Sequence, residues 1–189
     1  MQNKLFLIVN EDRFFLSHRK DIAMSAKRQG YDVSIVCKDT GQKQEILALG
    51  LKVIDLPINP TGENIFEELK TFNFLYKLYK KEKPAIVHHV GLKNILWGGL
   101  AAKFTKVHGV VNAVSGLGTL FTGNKLTLKT DTILRILRFS NYRRNIITIF
   151  QNHEDESLFF KYKIANKENS VFIKGSGIDL TEYYFTKVL

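Results

Sequence analysis

Residues suited to chemistry cluster first between His108 and Gly123, reading HGVVNAVSGLGTLFTG. Val110 to Val114, with Asn112 inside it, is an apolar run that reads as a buried strand of a parallel sheet. Ser115-Gly116-Leu117-Gly118 ends it abruptly. Open α/β sheets hold ligands in crevices at the carboxyl ends of such strands. Glycine there permits positive φ and lets a ligand approach the backbone closely. Gly116, Gly118 and Gly123 therefore mark a candidate ligand loop, although a loop that only needs unusual backbone angles would use the same residues. Five loops are expected at the same edge, at 10–17, 57–64, 89–93, 115–123 and 151–153. They gather Asn10, Asp12, Arg13, His18, Arg19, His88, His89, Lys93, Ser115 and Asn152. Each also has a purely structural reading. Arg13, Arg19 and Lys93 would equally serve as solvated or ion-paired cations. Asn152 would serve as a turn or helix cap. His88 closes a strand and reads as a core histidine, whereas His89 is better placed for a site.

Several chemistries are absent from the pattern. The first strand is followed by NEDRFFLSHR, which holds no glycine, so the dinucleotide pyrophosphate turn cannot form there. No Walker A, HExxH or CxxC sequence occurs. Adjacent His88 and His89 point to opposite faces of an extended segment, which makes a poor metal pair. G-x-S-x-G is missing, and Ser115 precedes its glycines in the wrong order for a nucleophile elbow. Cys37 is a lone cysteine inside an apparent strand and reads as a small buried apolar residue, compatible with a reducing cytosol.

The elements that must position these residues alternate. Apolar strands are expected at 5–9, 31–37, 51–56, 85–88, 110–114, 146–150 and 170–173. Helices are expected at 18–29, capped by Ser17, and at 42–49, 65–81, 93–105, 126–141 and 154–162. Glycines at 30 and 50 end two of the helices immediately before strands. Gly98, Gly99, Ala101 and Ala102 would let their helix pack close to the sheet. This alternation predicts one α/β domain, a Rossmann-like, doubly wound, mainly parallel sheet of about seven strands. The helix that begins at Leu126 presents Arg135, Arg138, Phe139 and Tyr142 roughly opposite its apolar stripe. A basic face carrying aromatics suits anionic lipid headgroups, and equally an ordinary solvated surface.

With 189 residues, 44% of them hydrophobic and 12% aromatic, the chain can build a packed core. No stretch approaches the ~18 uninterrupted apolar residues of a membrane span, and the N-terminal apolar run is too short for a signal-peptide core. The net charge of +10 attracts phosphates, whether in nucleic acid, anionic lipid or a diphosphate substrate. Nothing in the chain matches a nucleic-acid module, and no nucleic-acid partner is expected.

Taken in order, NEDRFFLSHR at 10–19, AKRQGYDVSIV at 26–36, KPAIVHHVGLKN at 83–94, GLAAK at 99–103, VVNAVSGLG at 110–118, IFQNHEDESLF at 149–159 and IKGSGIDLTEYYF at 173–185 resemble one family. It is the N-terminal, acceptor-side half of retaining GT-B glycosyltransferases of the family 4-like group, found in bacterial capsule, lipopolysaccharide and related polysaccharide assembly. The resemblance implies half of a GT-B fold at residues 1–179, the start of an interdomain linker at 180–189, and a donor-binding half that this chain does not contain. It implies a hexosyltransferase when complete, with this part alone inactive. A nucleotide sugar would be the co-substrate, a glycan or polyprenyl-linked molecule the acceptor, and no cofactor or metal would be needed. Gly116, Leu117 and Gly118 match the loop beside the donor diphosphate. Asn10, Arg13, His18, Arg19, His89, Lys93 and Asn152 match loops facing the acceptor. No general base is assigned. A cytoplasmic location follows, peripheral at the inner membrane face if Arg135, Arg138, Phe139 and Tyr142 meet lipid. The alternative is a stand-alone docking module that partners a separate donor-binding subunit or the membrane surface.

Overall fold

The structure, a computed structural model, describes residues 3–62, 64–117, 127–175 and 177. Seven strands form one sheet: β1 (Lys4–Glu11), β2 (Asp32–Lys38), β3 (Lys52–Asp55), β4 (Ile86–Val90), β5 (Gly109–Val114), β6 (Ile146–Phe150) and β7 (Ser170–Phe172). Every neighbouring pair is parallel and the order is β3-β2-β1-β4-β5-β6-β7. The chain builds outward from β1 to β3, then returns to the other side of β1. The direction of winding therefore reverses between β1 and β4, and the crevice above that reversal is where such sheets bind ligands. The expected doubly wound Rossmann-like sheet is the fold observed, and it is parallel throughout.

Two apolar layers hold the sheet between helices. Leu7, Val9, Val33, Ile35 and Cys37 alternate with Phe6, Ile8 and Val36, so each strand feeds both layers. The first layer meets α1 (Asp12–His18), α2 (Lys20–Arg28) and α3 (Lys43–Ala48). The second meets α4 (Ile65–Glu82), α5 (Leu92–Thr105), α6 (Leu128–Asn141) and α7 (His153–Lys161). Helix α5 lies between α4 and α6 and is buried from Asn94 to Gly99. Its small residues allow this. A Cβ at Gly98 would stand 2.5 Å from the His89 ring, and one at Gly99 3.4 Å from Ser140 Oγ.

Three boundaries differ from the sequence reading. The segment 10–17 is not a loop, because β1 runs through Glu11 and α1 starts at Asp12. The expected helix 18–29 is two helices broken at Arg19, whose φ of −131° is not helical. Ser17 is consequently no cap; it lies inside α1 and donates to the carbonyls of Arg13 and Phe14. Strand β4 continues past His88 to Val90, which draws His89 out of its expected loop into the sheet. Gly118, Gly123, Leu126 and the expected linker at 180–189 lie outside the described residues.

Candidate functional site

The crevice between β1 and β4 is built from backbone and amides. Asn10, near the carboxyl end of β1, accepts at Oδ1 a hydrogen bond of 2.8 Å from Asn94 Nδ2. Asn94 also donates to the Val90 carbonyl at 2.7 Å, and its own Oδ1 is buried without a partner. Helix α5 begins here. Its N-cap, Gly91, takes φ +83°, a conformation L side chains rarely adopt, and no side chain caps the helix. The first intrahelical bond is Ile95 N to Gly91 O, so the N–H groups before it face the crevice without helical acceptors. The loop after β5 adjoins: a Cβ at Gly91 would lie 4.0 Å from Ser115 Oγ. Ser115 and Gly116 are exposed, and Gly116 takes φ +120° with open space around it. Leu117 is buried in the core. Gly118 lies outside the described residues. Gly91 and Asn94 were not singled out from sequence. The signal was present as V-G-L-K-N, a strand end followed at once by a glycine and a helix.

The residues after β1 divide by role. Arg13 is 69% exposed and pairs with Glu11 at 2.6 Å. With Phe14, Ser17, Lys20 and Gln42 it lines a cleft of about 800 Å³ between α1 and α3. His18 is exposed, stacked on Phe14, and its Nδ1 lies 2.6 Å from Ser17 Oγ. Arg19 is buried, with its guanidinium 5.8 Å from the Phe14 ring centre. It is an interior cation of the α1–α2 break rather than a cleft residue. Asp12 is fully buried and clamps the loop after β2. Its carboxylate accepts from Thr40 N and Gln42 N at 2.8 and 2.9 Å, and from the Thr40 hydroxyl. Burial alone would raise its pKa, but the Thr40, Gln42 and Arg13 donors lower it to about 2.

Three further residues expected in the acceptor cleft make contacts within the fold. His89 is fully buried. Its Nδ1 lies 2.9 Å from Asn112 Oδ1 and its Nε2 3.0 Å from the Tyr79 hydroxyl. Lys93 spends its three donors on Asn59 O, Gly62 O and Glu68 Oε1. Glu68 also accepts from Trp97 Nε1, so Lys93 latches the loop after β3 onto α4 and α5. Asn152 is the N-cap of α7; its Oδ1 accepts from Asp155 N at 2.7 Å and its Nδ2 donates to Asp155 Oδ2. His88 faces the opposite layer from His89, as alternation requires. Burial, with Arg19 and His89 nearby, lowers its pKa to about 3. Burial, with nearby carboxylates, pushes the Cys37 thiol up to about 12, which makes it inert.

The aromatic and basic group on α6 forms, but at the far end of the molecule. Phe139 packs on Phe104 of α5 at 6.1 Å, and Lys103 Nζ sits 5.3 and 5.7 Å from the Phe139 and Tyr142 rings. Arg135 pairs with Asp131 at 2.7 Å, and Arg138 is exposed. Helix α6 starts at the carboxyl edge of the sheet, so its last turn lies about 20 Å away at the amino edge. At the carboxyl edge itself the exposed apolar residues are Ile65, Phe66 and Leu69 at the start of α4 and Leu128 at the start of α6, exposed by 48–90%.

The family model for the glycosyl transferase 4-like family matches residues 4–152, from β1 to the cap of α7. The chain belongs to that family. Two curated relatives are similar to this glycosyl transferase 4-like chain. An Escherichia coli UDP-Gal:alpha-D-GlcNAc-diphosphoundecaprenol alpha-1,3-galactosyltransferase is 30% identical over 153 residues, covering 81% of this chain and 38% of the relative. A Campylobacter jejuni N,N'-diacetylbacillosaminyl-diphospho-undecaprenol alpha-1,3-N-acetylgalactosaminyltransferase is 27% identical over 182 residues, covering 90% and 47%. The chain thus spans less than half the length of either relative. Among solved structures, Anabaena HepE in complex with UDP and glucose superposes with a TM-score of 0.64 at 14% identity, over 95% of this chain and 46% of that one. That likeness supports the fold, one half of a GT-B fold. No helix among the described residues is long and apolar enough to cross a membrane.

Proposed function

We propose that this chain is the acceptor-side domain of a retaining, nucleotide-sugar-dependent hexosyltransferase whose acceptor is a sugar carried on a polyprenyl diphosphate. The observation that carries the reading is the family match across every carboxyl-edge loop from β1 to β6. The substrate class is supported by both relatives, whose names specify diphospho-undecaprenol acceptors and alpha-1,3 products. A UDP-hexose of the α configuration that yields an alpha product is transferred with retention. In that reaction the bond from the donor's anomeric carbon to the diphosphate oxygen breaks on the same face as the bond to the acceptor oxygen forms. The acceptor hydroxyl's proton passes to the departing diphosphate oxygen. This chain's contribution is to hold the acceptor hydroxyl over the crevice, with Asn10 as its amide partner and the buried Asn94 fixing Asn10 in place. The N–H groups of the Ser115–Leu117 turn and of α5 face the donor diphosphate. No divalent metal is needed in this scheme. Isolated from its donor half, the domain is expected to be inactive.

The same reading places membrane contact at the carboxyl edge. A polyprenyl-linked acceptor brings the bilayer to the crevice, where Ile65, Phe66, Leu69 and Leu128 are exposed. Contact through Phe139 and Tyr142 would instead leave the crevice about 20 Å from the lipid. A net charge of +10 favours an anionic surface, and the location is peripheral at the cytoplasmic face.

The test is sugar transfer by the full-length protein from a UDP-hexose to a GlcNAc-diphosphate-lipid, with and without EDTA. Gly116→Val forces a β-branched residue into φ +120° at an exposed position that packs on nothing. Turnover should fall at least tenfold while the protein stays folded, its melting temperature lowered by no more than about 10 °C by the backbone strain of about 1–3 kcal/mol, and wild-type turnover should survive EDTA. Undiminished turnover in Gly116→Val would remove this loop from the site.

A further inference from the structure

A second cleft, of about 760 Å³, opens at the amino-terminal edge of the sheet, the end opposite the crevice. It lies where α6 runs into β6 and α7 runs into β7. Arg138, Arg143, Arg144, Lys163 and Lys167 line it together with Tyr142. No carboxylate is among the described residues lining it, and none of these five cations forms an ion pair among the described residues. Such a concentration of one sign is self-repelling and needs a reason.

Arg143 supplies a second, independent observation. It is half-buried, and its NH2 donates to the backbone carbonyls of Val107 and His108. Its Nε and NH1 are buried with no partner. Burial lowers its pKa from the usual guanidinium range, the mark of a desolvated charge without a counter-ion. Guanidinium and ammonium groups are the usual partners of phosphate oxygens. The backbone bonds fix the position of that guanidinium charge, and Arg138, Arg144, Lys163 and Lys167 surround it. The volume lies in the range of small-ligand sites.

We propose that this amino-edge cleft is an anion site that takes a phosphate-bearing group, with Arg143 as its fixed charge. It is separate from the glycosyl-transfer crevice and does not depend on that reading. The phosphate has two sources to distinguish, a soluble phosphorylated molecule or an anionic lipid headgroup.

The experiment titrates the full-length protein with inorganic pyrophosphate and, in parallel, with vesicles of phosphatidylglycerol in phosphatidylcholine. Arg143 anchors backbone, so the principal variant is Lys163→Asn with Lys167→Gln. Lys163 has φ +55°, a conformation Asn tolerates, so the charge is removed without straining the turn. Arg28→Gln with Lys38→Gln, two exposed cations elsewhere on the surface, is the charge-matched control. Pyrophosphate binding weakened at least tenfold in the cleft variant and less than twofold in the control supports a soluble ligand. The same contrast with vesicles alone supports a headgroup. Equal weakening in both variants would reduce the effect to net charge and overturn the site, as would binding that the cleft variant leaves unweakened, which assigns the probe to the crevice, or binding of neither probe by the wild type.

Discussion

At the residue scale the most constrained feature is the buried chain Tyr79–His89–Asn112–Asn141. Asn112 Oδ1 can only accept, so His89 Nδ1–H donates to it, and His89 Nε2 accepts from the Tyr79 hydroxyl. Asn112 Nδ2 then donates to Asn141 Oδ1, and Asn141 Nδ2 to the Leu137 carbonyl, both at 2.7 Å. The line ties α4, β4, β5 and α6 together. Asn112→Leu would strand a buried donor on His89 and a buried acceptor on Asn141. Unfolding in urea should show a loss of about 3 kcal/mol, from about 1–3 kcal/mol per unsatisfied group. An unchanged midpoint would mean the network contributes nothing. This role was only half legible in the sequence. The His88-His89 doublet gives opposite faces, but not which partners each face meets. His89 therefore read as a cleft residue, although its partner Asn112 was visible inside the β5 run.

At the element scale α5 decides how close the helical layer comes to the sheet. Its small residues were legible as a close-packing signal, yet the two adjacent glycines are not equivalent. Gly98 is backed by the His89 ring, which is held at both nitrogens and cannot yield. Gly99 faces Ser140 at ordinary contact distance. Gly98→Ala should destabilise by about 1–2 kcal/mol, overpacking outweighing the helix-propensity gain. Gly99→Ala should be neutral or stabilising by up to about 1 kcal/mol. Equal melting temperatures for the two variants would contradict the packing of α5 on His89. The elements that sequence periodicity misplaced share a cause. At Asp12, Arg19 and His89 polar residues are buried, and polar residues at an element's end read as loop. Asp12 starts a helix because its carboxylate is satisfied from a loop 28 residues away, which local pattern does not contain.

At the scale of the whole molecule the two buried histidines make stability depend on pH. Burial lowers His88 from 6.5 to about 3 and His89 from 6.5 to about 4. Between those values and 6.5 the unfolded chain binds protons that the folded chain refuses. The stabilisation is complete above pH 6.5 and is lost as pH falls. At pH 5 each histidine should cost about 2 kcal/mol relative to neutral pH. Asp12, held at about 2, adds its own loss only below its ordinary value of 3.8. Denaturation at pH 7 and pH 5 would check this: His88→Leu should remove about half of the difference, and an unchanged difference would assign it elsewhere. The sequence by itself determined the parallel α/β sheet, the edge on which its loops gather, the opposite faces of the histidine doublet and the resemblance later matched over residues 4–152. Those follow from alternation and local turn chemistry, which act over a few residues. Tertiary structure alone decided that Lys93 and His89 are held by the fold and that Asn94 closes the crevice with Asn10. It also placed the α6 aromatics and the basic cleft at the far edge. Those depend on which buried polar groups meet across 20 to 90 residues of chain, where the need to satisfy every desolvated donor and acceptor outweighs local preference.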